Sequence, residues 1–310
     1  MATIAHRKKR SSIRKYLPLY VMLIPGLAYL FLNNYLPLFG LTIAFKNIDY
    51  SKGIFGSDWA GLTNFQYLFQ TNDAYIITRN TLLYNAVFIV LGLGLAITIA
   101  ILLNEIKNKF ASRFYQSVIL LPFLISIIIV SYLVYSFLSP STGFVNNTIL
   151  PAFGIDPVSW YTESKYWPYI LVFVHLWKGI GYNCIVFLAA IIGIDPEYYE
   201  AARIDGASKL RQIFKITIPT ITPVIIMLTL LAIGRIFYSD FGLFYQVPMN
   251  SGALFETTNV IDTYVFRGLM QLGDIGMSSA AGLYQSLVGF LLVLISNFIV
   301  RKINKENALF

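Results

Sequence analysis

The residues with chemistry to offer a solute lie inside or at the ends of apolar runs. His175, Trp177, Lys178, Tyr182 and Asn183 fall in one run, and Arg235, Tyr238, Ser239 and Asp240 fall towards the end of the next. A lysine or arginine at mid-span costs ~2.5 to 3.5 kcal/mol on insertion scales, so such residues normally face a bundle interior or a water-filled path. What they supply is binding: aromatic faces stack, while amides and hydroxyls exchange hydrogen bonds. Two plainer readings stay open. Lys178 and Arg235 could snorkel to the outer surface, or Arg235 could pair with Asp240 simply to neutralise itself. Catalysis has little support. No GxxxxGK[ST] run is present to cradle a nucleotide phosphate. His6 and His175 are far apart, with no ligand-spaced cysteine or carboxylate nearby, so no metal site is expected. Glu197 and Glu200 read as cap and docking charges rather than a glycosidase pair.

The second informative stretch is the polar interval 195–219, DPEYYEAARIDGASKLRQIFKITIP. Asp195 before Pro196 is an N-cap with proline at the first helical position, and Glu197 adds charge to the first turn. The short helix carries Glu200, Ala201 and Ala202, with Ile204 as an apolar contact. It ends at Asp205-Gly206, where glycine can take a positive φ. Ser208 caps a second helix, wet along Lys209, Arg211 and Lys215 and apolar along Leu210, Ile213 and Phe214. A helix, a tight glycine turn and a helix make a compact knob against a membrane.

Composition sets where these elements sit. Of 310 residues, 57% are hydrophobic and only 12% charged, with mean hydropathy +0.66, and several apolar runs are long enough for helices to cross ~30 Å of hydrocarbon. Six spans are expected, at about 16–45, 81–103, 114–138, 166–192, 213–238 and 280–300, between a basic tail over 1–15 and a second tail over 301–310. The first is too long for a signal sequence and reads as a retained span kinked at Pro18, Pro25 and Pro37. The net charge of +8 clusters at span ends, as an orientation signal does, rather than as a nucleic-acid patch. Arg7, Lys8, Lys9, Arg10, Arg14 and Lys15 precede the first span. Lys107, Lys109 and Arg113 follow the second. Arg203, Lys209, Arg211 and Lys215 lie in the 195–219 interval, and Arg301, Lys302 and Lys305 follow the sixth. The alternate loops hold only Lys46, Lys52, Arg79, Lys165 and Arg267. Both termini and the 195–219 interval are therefore expected in the cytoplasm. The single cysteine, Cys184, lies in an apolar run, so a lone buried thiol is expected and no intrachain disulfide can form.

The order Glu200-Ala201-Ala202, Asp205-Gly206-Ala207, Ile218-Pro219 resembles the EAA loop, the signature of permease subunits of binding-protein-dependent ABC importers. The resemblance implies an all-α, six-helix MetI-like permease fold. In it the loop is a coupling element seated in a cleft of a cytoplasmic ATPase. Trp177-Lys178-Gly179-Ile180-Gly181-Tyr182-Asn183 is similar to sugar permeases of the maltose type. There, positions matching Lys178, Gly179 and Tyr182, and those around Tyr238-Ser239-Asp240, line the sugar path. Gly61-Leu62-Thr63-Asn64-Phe65 resembles an outer segment of the same class, and it and the outer segments Val260–Tyr264 and Gly273–Ala280 could touch a solute-binding protein. Ala280-Ala281-Gly282-Leu283-Tyr284-Gln285-Ser286 and the closing Ala308-Leu309-Phe310 resemble the LplB-type branch of complex-oligosaccharide importers. Ile218 replaces a more usual leucine, a conservative departure.

The resemblance implies a second homologous permease, two copies of a multi-sugar ATPase holding ATP and magnesium, and an extracellular sugar-binding lipoprotein. No cofactor is expected on this chain. Lys178, Arg235 and His175 add positive charge, which points to an acidic saccharide such as a uronic-acid oligomer; Asp240 counts against it. Two other classes are weighed. An ion-coupled secondary transporter more often shows inverted repeats, and no internal repeat is seen. An enzyme acting on lipid-linked sugars needs a carboxylate or histidine cluster at the membrane surface, and none stands out.

Overall fold

A backbone crossing hydrocarbon must satisfy its own hydrogen bonds, which these apolar runs do by becoming helices. The computed structural model of the chain describes residues 13–303. Five helices are long and apolar enough to cross a membrane: Tyr16–Phe45, Asp73–Asn104, Ser164–Ile192, Lys209–Ile233 and Ile275–Lys302. A bent pair, Lys109–Leu124 with Ile127–Leu138, completes a set of six if it is taken as one span. His6, the basic residues 7–10, Lys305 and Ala308-Leu309-Phe310 lie outside the described residues.

Two spans differ from the expected form. The third is broken at Ile125-Ser126, with its halves 95° apart. Pro122 sits near the end of the first half, whose last turn closes from the Ile125 N–H to the Pro122 carbonyl at 3.2 Å. Ser126 then caps the second half, accepting from the Ile128 N–H at 3.4 Å. The 16 residues of the first half reach only ~24 Å, short of a full crossing. The fifth span ends at Ile233 rather than near Tyr238, with the Gly234 N–H bonded to the Leu230 carbonyl at 2.8 Å. It begins earlier than expected, at Lys209, because helix runs unbroken out of the polar interval. The first span stays helical past Pro18 and Pro25, changes winding over Phe31–Tyr35, and tightens over Leu36–Phe45, where Pro37 enters.

The second and fourth spans form the spine. Near one end, Tyr84 and Phe88 pack on Trp167, Leu171 and Val174, with Leu243 and Phe244 closing the cluster. Near the other, Ala96, Ala100 and Leu103 meet Cys184, Phe187, Leu188 and Ile191. Alanines four apart let two helices approach closely, which is how packing holds helices together where hydrocarbon removes the hydrophobic drive. Cys184 is a free, buried thiol, as its apolar setting predicts. Between the spans, the short helices Phe241–Gln246 and Ile261–Met270 and a two-stranded hairpin, Lys46–Asn47 with Asp58–Trp59, sit on the end opposite the 195–219 interval.

Candidate functional site

Six of the sequence-selected polar residues, His175 among them, meet in one place. Asn183, Arg235, Tyr238, Ser239 and Asp240 line a cavity of about 440 Å³ together with His175, Asn85 and Phe88. The His175 ring stacks on Phe88, centroids 3.6 Å apart and nearly parallel. The Ser239 hydroxyl is buried with no hydrogen-bond partner, an uncommon state for a polar atom and one that a bound hydroxyl would relieve. Arg235 is exposed and forms no ion pair among the described residues. The expected alternative, neutralisation by Asp240, is not what the fold does. Asp240 instead caps Phe241–Gln246, its Oδ1 accepting from the Leu243 N–H at 3.1 Å. The arginine charge is thus left facing the cavity. The fifth span stops two residues before Arg235, which lies in the non-helical stretch that follows.

The cavity exists because the chain after Ile233 is not helical, and its freed backbone groups need partners. Asn85 Nδ2 donates to the carbonyls of Ile236 at 3.0 Å and Tyr238 at 3.1 Å. Gln285 Nε2 donates to the Phe237 carbonyl at 2.8 Å and to Asp262 at 3.0 Å, and the Asp262 carboxylate accepts from the Ser239 N–H at 2.7 Å. Burial pushes the Asp262 carboxyl above the usual carboxylate range, and the bonds from Ser239 and Gln285 pull it back. Sequence reasoning does not assign Asn85, Asp262 or Gln285 a role in the site. The available signal is Asn85 and Gln285 as lone amides within apolar runs.

Lys178, Gly179 and Tyr182 are not among the residues lining that cavity. Lys178 Nζ donates to the carbonyls of Phe123 at 3.1 Å and Ile125 at 2.7 Å. It therefore neither snorkels nor opens into the path. It places a cation at the negative end of the Lys109–Leu124 helix, where the break leaves carbonyls unpaired. Tyr182 stacks on Phe123, centroids 5.3 Å apart. Gly181 lets the two helices touch, since a Cβ there would lie 2.2 Å from the Ile119 carbonyl oxygen. Lys178→Met leaves those carbonyls unpaired, so we expect a loss of about 2 kcal/mol, read as a lower unfolding midpoint in detergent.

The 195–219 interval is built as its capping signals predict. Pro196–Ile204 is helical, with Asp195 Oδ1 accepting from the Glu197 N–H at 3.0 Å. Gly206 takes φ +74°, and the Ala207 N–H returns to the Ala202 carbonyl at 2.8 Å, the closing bond of a glycine-terminated helix. Ser208 caps the next helix, accepting from the Arg211 N–H at 3.4 Å. The knob is tied to the bundle by Lys209–Glu105 at 2.7 Å and by Tyr199 Oη with Thr217 Oγ1 at 2.9 Å, and is braced internally by Gln212 Nε2 donating to the Ala207 carbonyl at 3.0 Å. The apolar contact expected of Ile204 is not made by burial within the chain, since its side chain is 87% exposed. Tyr198 and Leu210 are likewise exposed apolar side chains of this interval.

Known proteins share this arrangement. Residues 89–305 match the family described as binding-protein-dependent transport system inner membrane component. The polygalacturonan/rhamnogalacturonan transport system permease protein YteP of Bacillus subtilis (strain 168) is 32% identical over 311 residues, 98% of this chain and 95% of that protein. Protein LplB of the same strain is 34% identical over 289 residues, 93% of this chain and 90% of that one. A chain in the crystal structure of a bacterial ABC transporter involved in the import of the acidic polysaccharide alginate superposes with a TM-score of 0.86 at 34% identity, covering 94% of this chain and 98% of its own. With the family matched over most of its length, and relatives of this identity aligned nearly end to end, the chain belongs to the inner membrane components of binding-protein-dependent transport systems.

Proposed function

We propose that this chain is a permease subunit of an ATP-driven importer of acidic oligosaccharides, such as uronic-acid oligomers. The observation that carries the substrate class is Arg235, a cation without a counterion, in a cavity that also offers an aromatic stack, the Asn183 amide and the unpaired Ser239 hydroxyl. A saccharide carboxylate matches the guanidinium and its ring matches the aromatic faces. The names of the relatives agree, since YteP is named for polygalacturonan and rhamnogalacturonan and the solved transporter for the acidic polysaccharide alginate. Lys178 and Tyr182 serve this path indirectly, by fixing the helix that ends at Leu124, while Gly179 leaves open space beside them.

The chain sits in the cell membrane with both termini in the cytoplasm, as the Lys and Arg distribution favours. Its functional body is 16–300, with tails over 1–15 and 301–310. It works with a second homologous permease, two copies of a cytoplasmic ATPase and an extracellular sugar-binding lipoprotein. It holds no cofactor itself; ATP and magnesium belong to the ATPase. Glu200, Ala201, Ala202, Asp205, Gly206 and Ala207 form the coupling element. ATPase closure carries this knob inward, the spans rock, and the cavity opens outward. The exposed side chains of Tyr198, Ile204 and Leu210 support the reading, because large apolar groups left bare on an otherwise polar knob call for a partner.

Proteoliposomes containing the assembled importer test the function. Uptake of a uronic-acid oligomer should require ATP and persist when the membrane potential is collapsed, and should exceed uptake of a neutral oligomer of equal length. Dependence on the potential rather than ATP would move the chain to ion-coupled transport. Equal uptake of both oligomers would remove the acidic specificity. Gly206 tests the coupling. No atom lies within 4 Å of a Cβ there, so the cost of Gly206→Val is backbone strain of ~1 kcal/mol or more. The variant should insert but lose ATPase on copurification, while Gly206→Asn, which tolerates positive φ, should keep it.

A further inference from the structure

Arg79 carries a second unmatched charge, remote from the cavity. Its Nε and Nη2 donate to Asn80 Oδ1 at 3.2 and 3.0 Å, and Nη2 also reaches the Glu256 carbonyl at 2.9 Å. Among the described residues Nη1 has no hydrogen-bond partner and no carboxylate pairs with the side chain, whose guanidinium lies over the Tyr75 ring at 5.6 Å from its centroid. The surrounding polar groups are already committed: Asn80 Nδ2 to the carbonyls of Glu256 and Asn259, and Tyr84 Oη to that of Thr257. Arg79 is therefore the donor left over.

Its surroundings change in character along the helix. Towards the helix start, a cavity of about 380 Å³ is lined by Arg79 with Thr71, Tyr75, Thr78 and Tyr284. Towards the middle, a groove of about 330 Å³ runs from Arg79 between Leu83 and Val87 on one side and Pro168 and Val172 on the other. Leu83 is 59% exposed, and Val90, one turn deeper, 70%. The helix has 32 residues, ~48 Å, so ~9 Å at each end stands outside a ~30 Å hydrocarbon layer. Arg79, six residues in, lies at that boundary. Polar hydroxyls above, a cation at the edge and an apolar groove below follow the order of a lipid: headgroup, phosphate, acyl chain.

This groove also faces away from the substrate cavity. The cavity takes Asn85, Phe88, Ile89 and Leu93 from the same helix. At ~100° per residue, these lie nearly opposite Leu83, Val87 and Val90. The groove therefore opens on the side of the helix away from the cavity, where Leu83 and Val90 are exposed.

We propose that Arg79 and the groove below it form a binding site for an anionic phospholipid of the leaflet opposite the Glu200–Gly206 knob. Nη1 holds the phosphate, and the Leu83–Val87 groove holds the first acyl chain. The inference uses the membrane family and the fold, not the identity of the transported solute, so it survives failure of the substrate reading.

The test is native mass spectrometry of the assembled complex, titrated with phosphatidylglycerol or phosphatidylcholine. The wild type should retain phosphatidylglycerol at roughly tenfold lower lipid concentration, the scale of one charge-assisted contact. Arg79→Gln should abolish the preference. Val87→Trp, which fills the groove and keeps the arginine, should lose the lipid too and serves if the first variant does not fold. Arg113→Gln, near the other end of the bundle, should change nothing. Three results overturn the proposal: an unchanged preference in both site variants, loss of the preference on adding inorganic phosphate, or a photoreactive residue at position 83 that cross-links to the partner permease instead of lipid.

Discussion

Gly181→Val should prevent the protein from accumulating in a folded, detergent-stable form, whereas Gly179→Ala, two residues away, should leave its stability unchanged or slightly raised. Built on the backbone, a Cβ at 181 meets the Ile119 carbonyl oxygen at 2.2 Å, its carbonyl carbon at 2.8 Å and Leu120 Cα at 3.0 Å. All three are backbone atoms, so no rotamer change relieves the clash and the two helices must move apart. Overpacking costs typically ~1–3 kcal/mol and more where the backbone must shift, and valine adds two methyls beyond the Cβ. Separation also pulls Lys178 from the carbonyls of Phe123 and Ile125 and Tyr182 from Phe123, so three contacts fail together. At 179 nothing lies within 4 Å of the added Cβ, and alanine is favoured over glycine within a helix by ~0.5–1 kcal/mol. Fluorescence-monitored size exclusion and thermal unfolding of both variants in one detergent provide the comparison. Equal stability of the two would mean that the close approach of these helices is not what holds the broken third span.

Arg235→Gln should cost roughly ten- to hundredfold in uptake of a uronic-acid oligomer, the range of a lost hydrogen bond to a charged group at ~1.5–3 kcal/mol. Uptake of a neutral oligomer of the same length should change little. The split follows from the electrostatics of the cavity. Arg235 has no carboxylate partner, and Asp240 is held to the Leu243 N–H as a helix cap. Removing the cation therefore frees no anion to reorganise the site; it only removes attraction for a carboxylate. Glutamine retains hydrogen-bonding capacity, so the variant isolates charge from polarity. Initial uptake rates for both oligomers, with the binding protein saturating, make the measurement. A parallel loss for both would show that Arg235 supports the cavity structurally instead of reading the charge of the solute.

Much of this protein is decided locally, and local features are legible in sequence. Apolar runs longer than a bilayer must be helices whatever surrounds them, so five of the six expected spans appear as single helices among the described residues and the third as a bent pair. Caps act over three or four residues, so Asp195, Gly206 and Ser208 adopt the expected roles with no help from distant chain. The grouping of polar residues was partly legible for the same reason. A polar group in an apolar run has few places to go, and Asn183, Arg235, Tyr238, Ser239 and Asp240 do converge on one cavity.

Tertiary structure alone decided which polar groups face a ligand and which repair the backbone. Lys178 and Arg235 look alike in sequence, a cation in each of two neighbouring apolar runs. One is spent on the carbonyls of a helix broken 55 residues away in sequence, and the other is left open. The breaks themselves were hidden because Ser126, and the chain after Ile233, sit in sequence apolar enough to continue a helix. Those breaks hold because long-range partners satisfy the exposed groups: Lys178 at the first, Asn85, Asp262 and Gln285 at the second. A hydrogen bond across such separations depends on where the spans pack, and packing is not written in any single window of residues. Helix existence is a local consequence of hydrocarbon; helix interruption, and with it the cavity, is a property of the assembled bundle.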